Sequence, residues 1–163
     1  MSGASSWSFR EEDFKRIQVV LADFLRESTA RTGLIVDRTG QLVATVGEAP
    51  TFDAVAFASL TAADFSANDQ LAKMIGEKEF GSLFNQGERE SMYLADVAHR
   101  VILVVLFDNR TTLGMVKLRV KTTVGELTQV FTDMFGRDGS ASKAQMETGF
   151  VGEAEDEIDK LFG

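Results

Sequence analysis

Val101-Ile102-Leu103-Val104-Val105-Leu106-Phe107 is an unbroken apolar run. A strand with one wet face alternates apolar and polar residues, because successive side chains point to opposite faces. Uniform apolarity instead predicts a central strand covered on both faces. Asp108-Asn109-Arg110-Thr111-Thr112 follows as a turn. Leu113–Lys121 then alternates, with Val116, Leu118 and Val120 on one face and Lys117, Arg119 and Lys121 on the other, which predicts a further strand. Upstream, Glu90–Val97 alternates moderately and predicts the strand preceding the central one.

Further upstream, Gly33–Asp37 and Gln41–Val46 read as strands, and Arg38-Thr39-Gly40 between them supplies a tight turn, giving a β-hairpin. Before the hairpin, Ser8-Phe9-Arg10-Glu11 fits a capping box. Phe14, Ile17, Leu21, Phe24 and Leu25 follow at helical spacing and predict an amphipathic helix to about Ser28. After it, Pro50-Thr51 precedes a long second helix, from about Phe52 to Ile75. Phe57, Leu60, Leu71, Met74 and Ile75 are expected on its core side. Ser59, Ala62, Ala63, Ser66, Asp69, Gln70, Lys73 and Glu77 take the other side, short or polar enough for another backbone to approach closely.

Gly76 to Arg89 reads as a polar connection with Phe80, Leu83 and Phe84 tucked inward. Thr123-Val124-Gly125-Glu126 fits a second capping box, opening a helix that carries Leu127, Val130, Phe131 and Met134 and ends at Gly136. The expected organisation is a disordered lead-in at 1–8, one domain at 9–136, a flexible linker at 137–152 and a short acidic amphipathic helix at 153–163. The order α-ββ-α-βββ-α predicts an α/β (α+β) sandwich: a five-stranded sheet with helices on both faces.

Composition narrows the function classes. At 163 residues and 44% hydrophobic, the chain suits one domain with a single substantial core. Its net charge of −8 repels phosphate backbones, so no nucleic-acid partner is expected. The longest apolar run falls well short of the ~20 residues of a membrane span, so no membrane insertion is expected. Met1 to Ser8 has neither the basic region nor the apolar core of a signal peptide, and cysteine is absent. The expected location is the cytoplasm.

No catalytic constellation emerges. His99 is the only histidine and reads as an ordinary edge residue, and a two-histidine zinc site is impossible. Gly76-Glu77-Lys78-Glu79-Phe80-Gly81-Ser82 lacks the lysine of a phosphate loop and follows a helix rather than a strand. Glu126 and Asp133, and Glu77 and Glu79, form no pair distinct from a solvated surface, while Asp64 and Asp69 lack calcium-loop spacing. Arg110 is the one arginine placed to reach another protein's phosphate, although an ordinary turn residue is the simpler reading. No catalytic, cofactor or metal residues are expected.

Several segments, taken in order, resemble the MglB-type branch of the Roadblock/dynein-light-chain family. They are Leu34-Ile35-Val36-Asp37-Arg38-Thr39-Gly40-Gln41-Leu42, Ala58-Ser59-Leu60-Thr61-Ala62, the stretch from Leu71 to Phe80, and Phe84-Asn85-Gln86-Gly87-Glu88. Val101 to Thr111, Leu113-Gly114-Met115-Val116-Lys117-Leu118-Arg119 and the terminal Glu157-Ile158-Asp159-Lys160-Leu161-Phe162 continue the match. The resemblance implies a homodimer that recognises the GTP form of an MglA-type small Ras-like GTPase. It also implies accelerated hydrolysis, achieved by reshaping the GTPase switch regions without donating a catalytic residue. Such a protein serves bacterial cell polarity or motility and is open to concentration at a cell pole through its partners.

The implied GTPase-binding surface maps to Ala62, Ala63, Ser66, Gln70 and Lys73 on the second helix. The implied dimer interface is an edge strand containing Ser91, Met92, Tyr93, Leu94 and Ala95. The chain departs from the family pattern at Asn68-Asp69-Gln70, where smaller residues are usual, and longer side chains there are expected to hinder close approach. This motivates an alternative, a dimeric scaffold or adaptor that binds without stimulating hydrolysis. Ile158, Leu161 and Phe162 in the tail are either a contact for a separate surface or part of a solubilising acidic end.

Overall fold

The computed structural model describes residues 9–145, with side chains described as far as Gly136. The elements are α1 (Glu11–Ser28), β1 (Thr32–Asp37), β2 (Leu42–Gly47), α2 (Ala54–Met74), β3 (Ser82–Gln86), β4 (Ser91–Val97), β5 (Val101–Phe107) and α3 (Leu113–Gln145). The sheet is antiparallel throughout, in the order β2-β1-β5-β4-β3. The uniformly apolar run is its central strand, as its composition requires.

Alternation along β5 divides the core in two. Val101, Leu103, Val105 and Phe107 face one side and pack with Ile17, Leu21 and Phe24 of α1 and Val116, Val120, Leu127, Phe131 and Met134 of α3. Ile102 and Val104 face the other side and meet Ala58, Ala62 and Phe65 of α2. Full burial of side chains of this size stabilises by about 1.5–3 kcal/mol each, so the strand must be covered on both faces.

The predicted element order is correct, but two of its assignments change. Leu113–Lys121 is not a strand; it is the first part of α3. Val116, Val120, Thr123, Leu127, Val130 and Met134 are its buried face, spaced i, i+4, i+7, i+11, i+14 and i+18, whereas Leu118 is exposed. Thr112 caps this helix, its Oγ1 accepting from the Met115 N–H at 3.2 Å. The Thr123–Glu126 capping box therefore falls inside a helix that continues past Gly136 to Gln145. The fifth strand is supplied instead by Ser82–Gln86, within the segment read as a connection.

At the start of α1 the cap also differs. Arg10 occupies the N-cap position, and its own backbone N–H donates to Asp13 at 2.9 Å, while the expected cap Ser8 lies outside the described residues. An arginine side chain has no acceptor, so the reciprocal half of a capping box comes from Asp13 alone. The β1–β2 turn is held by Asp37, whose Oδ1 accepts from the Thr39 hydroxyl and from the backbone N–H groups of Thr39 and Gln41. Gly40 sits there at φ 96°, and a Cβ on it would lie 3.0 Å from the Ser59 Cα of α2. The turn thus needs glycine for conformation and for the approach of the helix.

Candidate interaction surface

The α2 helix begins at Asp53, whose side chain accepts from the N–H groups of Val55 and Ala56, both at 3.1 Å. Ala58, Thr61, Ala62, Phe65, Asn68 and Ala72 form its buried side, and most of them are small. Burial reverses the expected sides. Leu60, Leu71, Met74 and Ile75 are 70%, 56%, 82% and 71% exposed, and only Phe57 of the expected core set is partly buried against the sheet. Phe65 fills the space beneath the helix with small residues around it, and Leu60, Leu71 and Met74 fall on the opposite side.

Leu60, Ala63, Ala67, Leu71 and Met74 repeat at i, i+3, i+7, i+11 and i+14 along the outer side, which makes one continuous apolar stripe. Beside it, Ser59, Ser66, Gln70 and Lys73 form a parallel row of exposed short or polar residues. Of the five residues expected to bind a GTPase, Ala63, Ser66, Gln70 and Lys73 are exposed on this outer surface, whereas Ala62 is 7% exposed and packs under the helix. Asn68 is buried and its Nδ2 donates to the Ser82 carbonyl at 3.5 Å. Asp69 is half-buried and accepts from Arg38. Only Gln70 of that trio points outward.

The expected dimer strand has no free edge. Tyr93 pairs with Phe84 of β3 on one side and Val105 of β5 on the other, and Ser91, Met92, Leu94 and Ala95 are likewise paired on both sides. The sheet edge lies one strand further out, at β3, which pairs with β4 alone. The signal for it was present in the sequence: Leu83-Phe84 stands between Gly81 and Gly87, as a short strand between turns does. The Asn68–Ser82 bond places the start of that edge beside the C-terminal half of α2, where Leu71, Met74, Ile75 and Phe80 are exposed. Ile158, Leu161 and Phe162 lie outside the described residues.

At the opposite end of β5, Arg110 is engaged within its own chain. Its Nε donates to Asp108 Oδ1 at 3.0 Å and its Nη2 to Oδ2 at 3.0 Å, and Glu48 lies 3.7 Å away. Arg31 pairs with Glu48 and with Glu90. The hydrogen bond from Arg31 holds the Glu48 carboxyl below its ordinary range, and the side-chain and backbone bonds from Arg110 do the same for Asp108. Such an arginine is a turn clamp rather than a free finger. A groove between α1 and α3 is walled by Val19, Val20 and Val130 and rimmed by Lys15, Arg16, Glu126 and Gln129. These side chains bring no nucleophile and base together. Among the described residues, no helix is long and apolar enough to cross a membrane.

The three-helix, five-stranded fold and its bare second helix define a class. The chain belongs to the Roadblock/LC7 family, whose domain model matches residues 16–107. Within that class it is similar to MglB proteins. It is 41% identical to Myxococcus xanthus MglB over 78% of this chain and 96% of that one, with a TM-score of 0.73. The gliding protein mglB of Thermus thermophilus is 33% identical, over 77% of this chain and 95% of its own, with a TM-score of 0.71. An MglB with tetrameric arrangement is 32% identical, over 79% and 97% respectively, with a TM-score of 0.74. Comparison with curated proteins gives no match. The fold is that of the Roadblock/LC7 family and of the MglB structures.

Proposed function

We propose that this protein is a cytoplasmic GTPase-activating regulator of an MglA-type small GTPase in bacterial cell polarity or motility, working as a homodimer. The outer side of α2 carries the reading: an apolar stripe too large to leave in water beside a row of short and polar side chains. The stripe, continued by Ile75 and Phe80 to the free edge of β3, is the surface for a second copy. The adjoining row, with Ala63, Ser66, Gln70 and Lys73, receives the GTP-bound partner. Activation then works by reorganising the partner's switch regions, which requires no catalytic residue from this chain. The similarity to MglB proteins, one of them with tetrameric arrangement, supports both the partner class and self-association.

The scaffold reading rests on Asn68-Asp69-Gln70 obstructing approach. Two of those side chains are turned toward the sheet, so the obstruction reduces to Gln70. Adding the protein to a purified, GTP-loaded MglA-type GTPase and following phosphate release tests the proposal. Faster release is expected. A stable complex that hydrolyses at the intrinsic rate would leave the scaffold.

A further inference from the structure

We propose that Glu79, Asp96 and His99 form a binding site for a divalent transition-metal ion of the zinc class. The three residues come from separate places in the chain, Glu79 from the segment between α2 and β3, Asp96 from β4 and His99 from the β4–β5 turn. One ligand atom from each lies within 4.8 Å of the others. His99 Nδ1 is 3.3 Å from Glu79 Oε2 and 3.4 Å from Asp96 Oδ2. Zinc bonds of about 2.0–2.2 Å arranged tetrahedrally put neighbouring ligand atoms roughly 3.3–3.6 Å apart. These spacings fit that edge, and the exposed Glu79 side chain has room to complete the third.

The surroundings orient two of the three ligands. Ala98 and His99 both take positive φ, 55° and 57°, in a two-residue turn closed by the Arg100 N–H on the Val97 carbonyl at 3.0 Å. This geometry ordinarily selects glycine or asparagine. It folds His99 back so that its N–H also donates to Asp96 Oδ2 at 3.1 Å. The other carboxylate oxygen, Oδ1, accepts from Arg38, in the way outer groups fix a ligating carboxylate. Arg38 is itself offset by Asp69, which leaves the charges of Glu79 and Asp96 to face a divalent cation.

One imidazole and two carboxylates suit zinc, cobalt or nickel better than calcium or magnesium, which prefer oxygen alone. The remaining coordination position faces solvent, where water fits. A bound ion would tie the segment after α2 to the β4–β5 hairpin, just beyond the exposed Met74 and Ile75. The site does not depend on the GTPase reading.

Calorimetric titration of zinc chloride into the full chain at neutral pH tests it, alongside the cobalt(II) visible spectrum. One ion per chain in the micromolar range is expected, with an intense tetrahedral cobalt spectrum. His99→Ala and Glu79→Ala should each weaken binding by about 10–100-fold and remove that spectrum. Neither side chain is buried, so circular dichroism should show the variants folded. Zinc binding unchanged in His99→Ala would mean carboxylates elsewhere take the ion, and absence of saturable binding would mean that His99 only pairs with its carboxylates. Either result overturns the proposal.

Discussion

Arg38 donates through Nη1 to Asp69 Oδ2 at 3.1 Å, fastening the β1–β2 turn to α2 across 31 residues of sequence. The same guanidinium bonds Asp96 of β4 and lies 4.9 Å over the Phe65 ring. One side chain therefore joins a turn, a helix and an inner strand, and it draws Asp69 away from the outer surface of α2.

Replacing Arg38 with alanine leaves two partly buried carboxylates without their main donor and removes the cation from the Phe65 face. The expected loss is about 1–3 kcal/mol of folding stability, measured by urea unfolding at neutral pH. The outer row of α2 is untouched, so partner binding by the folded fraction should persist. A variant as stable as wild type would show that Asp69 and Asp96 are satisfied by water.

The sequence made the centre of this fold legible and obscured its margins. β5 could be read because burial on both faces leaves no polar position to confuse the pattern. The start of α3 reads as a strand because Val116, Leu118 and Val120 satisfy a period of two over a short window, and only the series onward to Met134 separates a helix from a strand. In α2, size misleads: Leu60, Leu71 and Met74 outweigh alanine on any hydrophobic scale, yet the buried side is made by Phe65 with Ala58, Ala62 and Ala72 around it. The outer row is still legible in part, because Ser66, Gln70 and Lys73 are polar on either assignment of the core side. Ala62 is misplaced for the same reason that the stripe is missed.

The change of edge strand has its own consequence. Tyr93 is 8% exposed and paired on both sides, so proline there removes a donor from inside the sheet. Tyr93→Pro should therefore unfold the monomer rather than split a dimer. Circular dichroism and analytical ultracentrifugation together distinguish these outcomes. A folded monomer would show that β4 bears the dimer contact after all.

Leu60→Arg and Leu71→Arg test the apolar stripe. Both side chains are mostly exposed in the single chain, so its folding should change by only about 0.5 kcal/mol. In a dimer the introduced charge would be buried against apolar side chains. Each substitution should weaken association by about 2 kcal/mol, roughly thirtyfold in Kd. Sedimentation velocity over a concentration series measures this, and unaltered association would move the interface off α2.

Acidic pH probes the clamp at Arg110. Glu48 and Asp108 have folded-state pKa values below their ordinary ones, through bonds from Arg31 and Arg110 respectively. A depressed carboxylate contributes stability above its unfolded pKa and loses it as pH falls through the folded value. Arg110→Ala should therefore destabilise slightly at neutral pH, and the difference should vanish as acid protonates both carboxyls. Glu48 is half exposed and Asp108 only partly covered, so water screens both, and the effect is small and should shrink in salt. Carbon NMR titration should show Asp108 moving up toward its ordinary range in the variant, with Glu48 following less, since Arg31 remains. A wild-type titration curve for Asp108 in the variant would remove Arg110 as the cause.

The sharpest test of the proposed function lies on the row beside the stripe. Ser66 and Gln70 are one turn apart and exposed, and neither side chain contributes to the core beneath α2. Arginine at both positions adds bulk and charge where a partner's backbone is expected to come close, without removing any sheet contact. Stability should stay within about 0.5 kcal/mol per substitution. Self-association should survive as well, because the stripe of Leu60, Leu71 and Met74 is intact. Binding to the GTP-loaded GTPase should fall below detection in size-exclusion chromatography, and stimulated phosphate release should fall with it. If the double variant still binds at wild-type affinity, the footprint belongs on the segments flanking α2, where Phe52 and Phe80 are each 41% exposed.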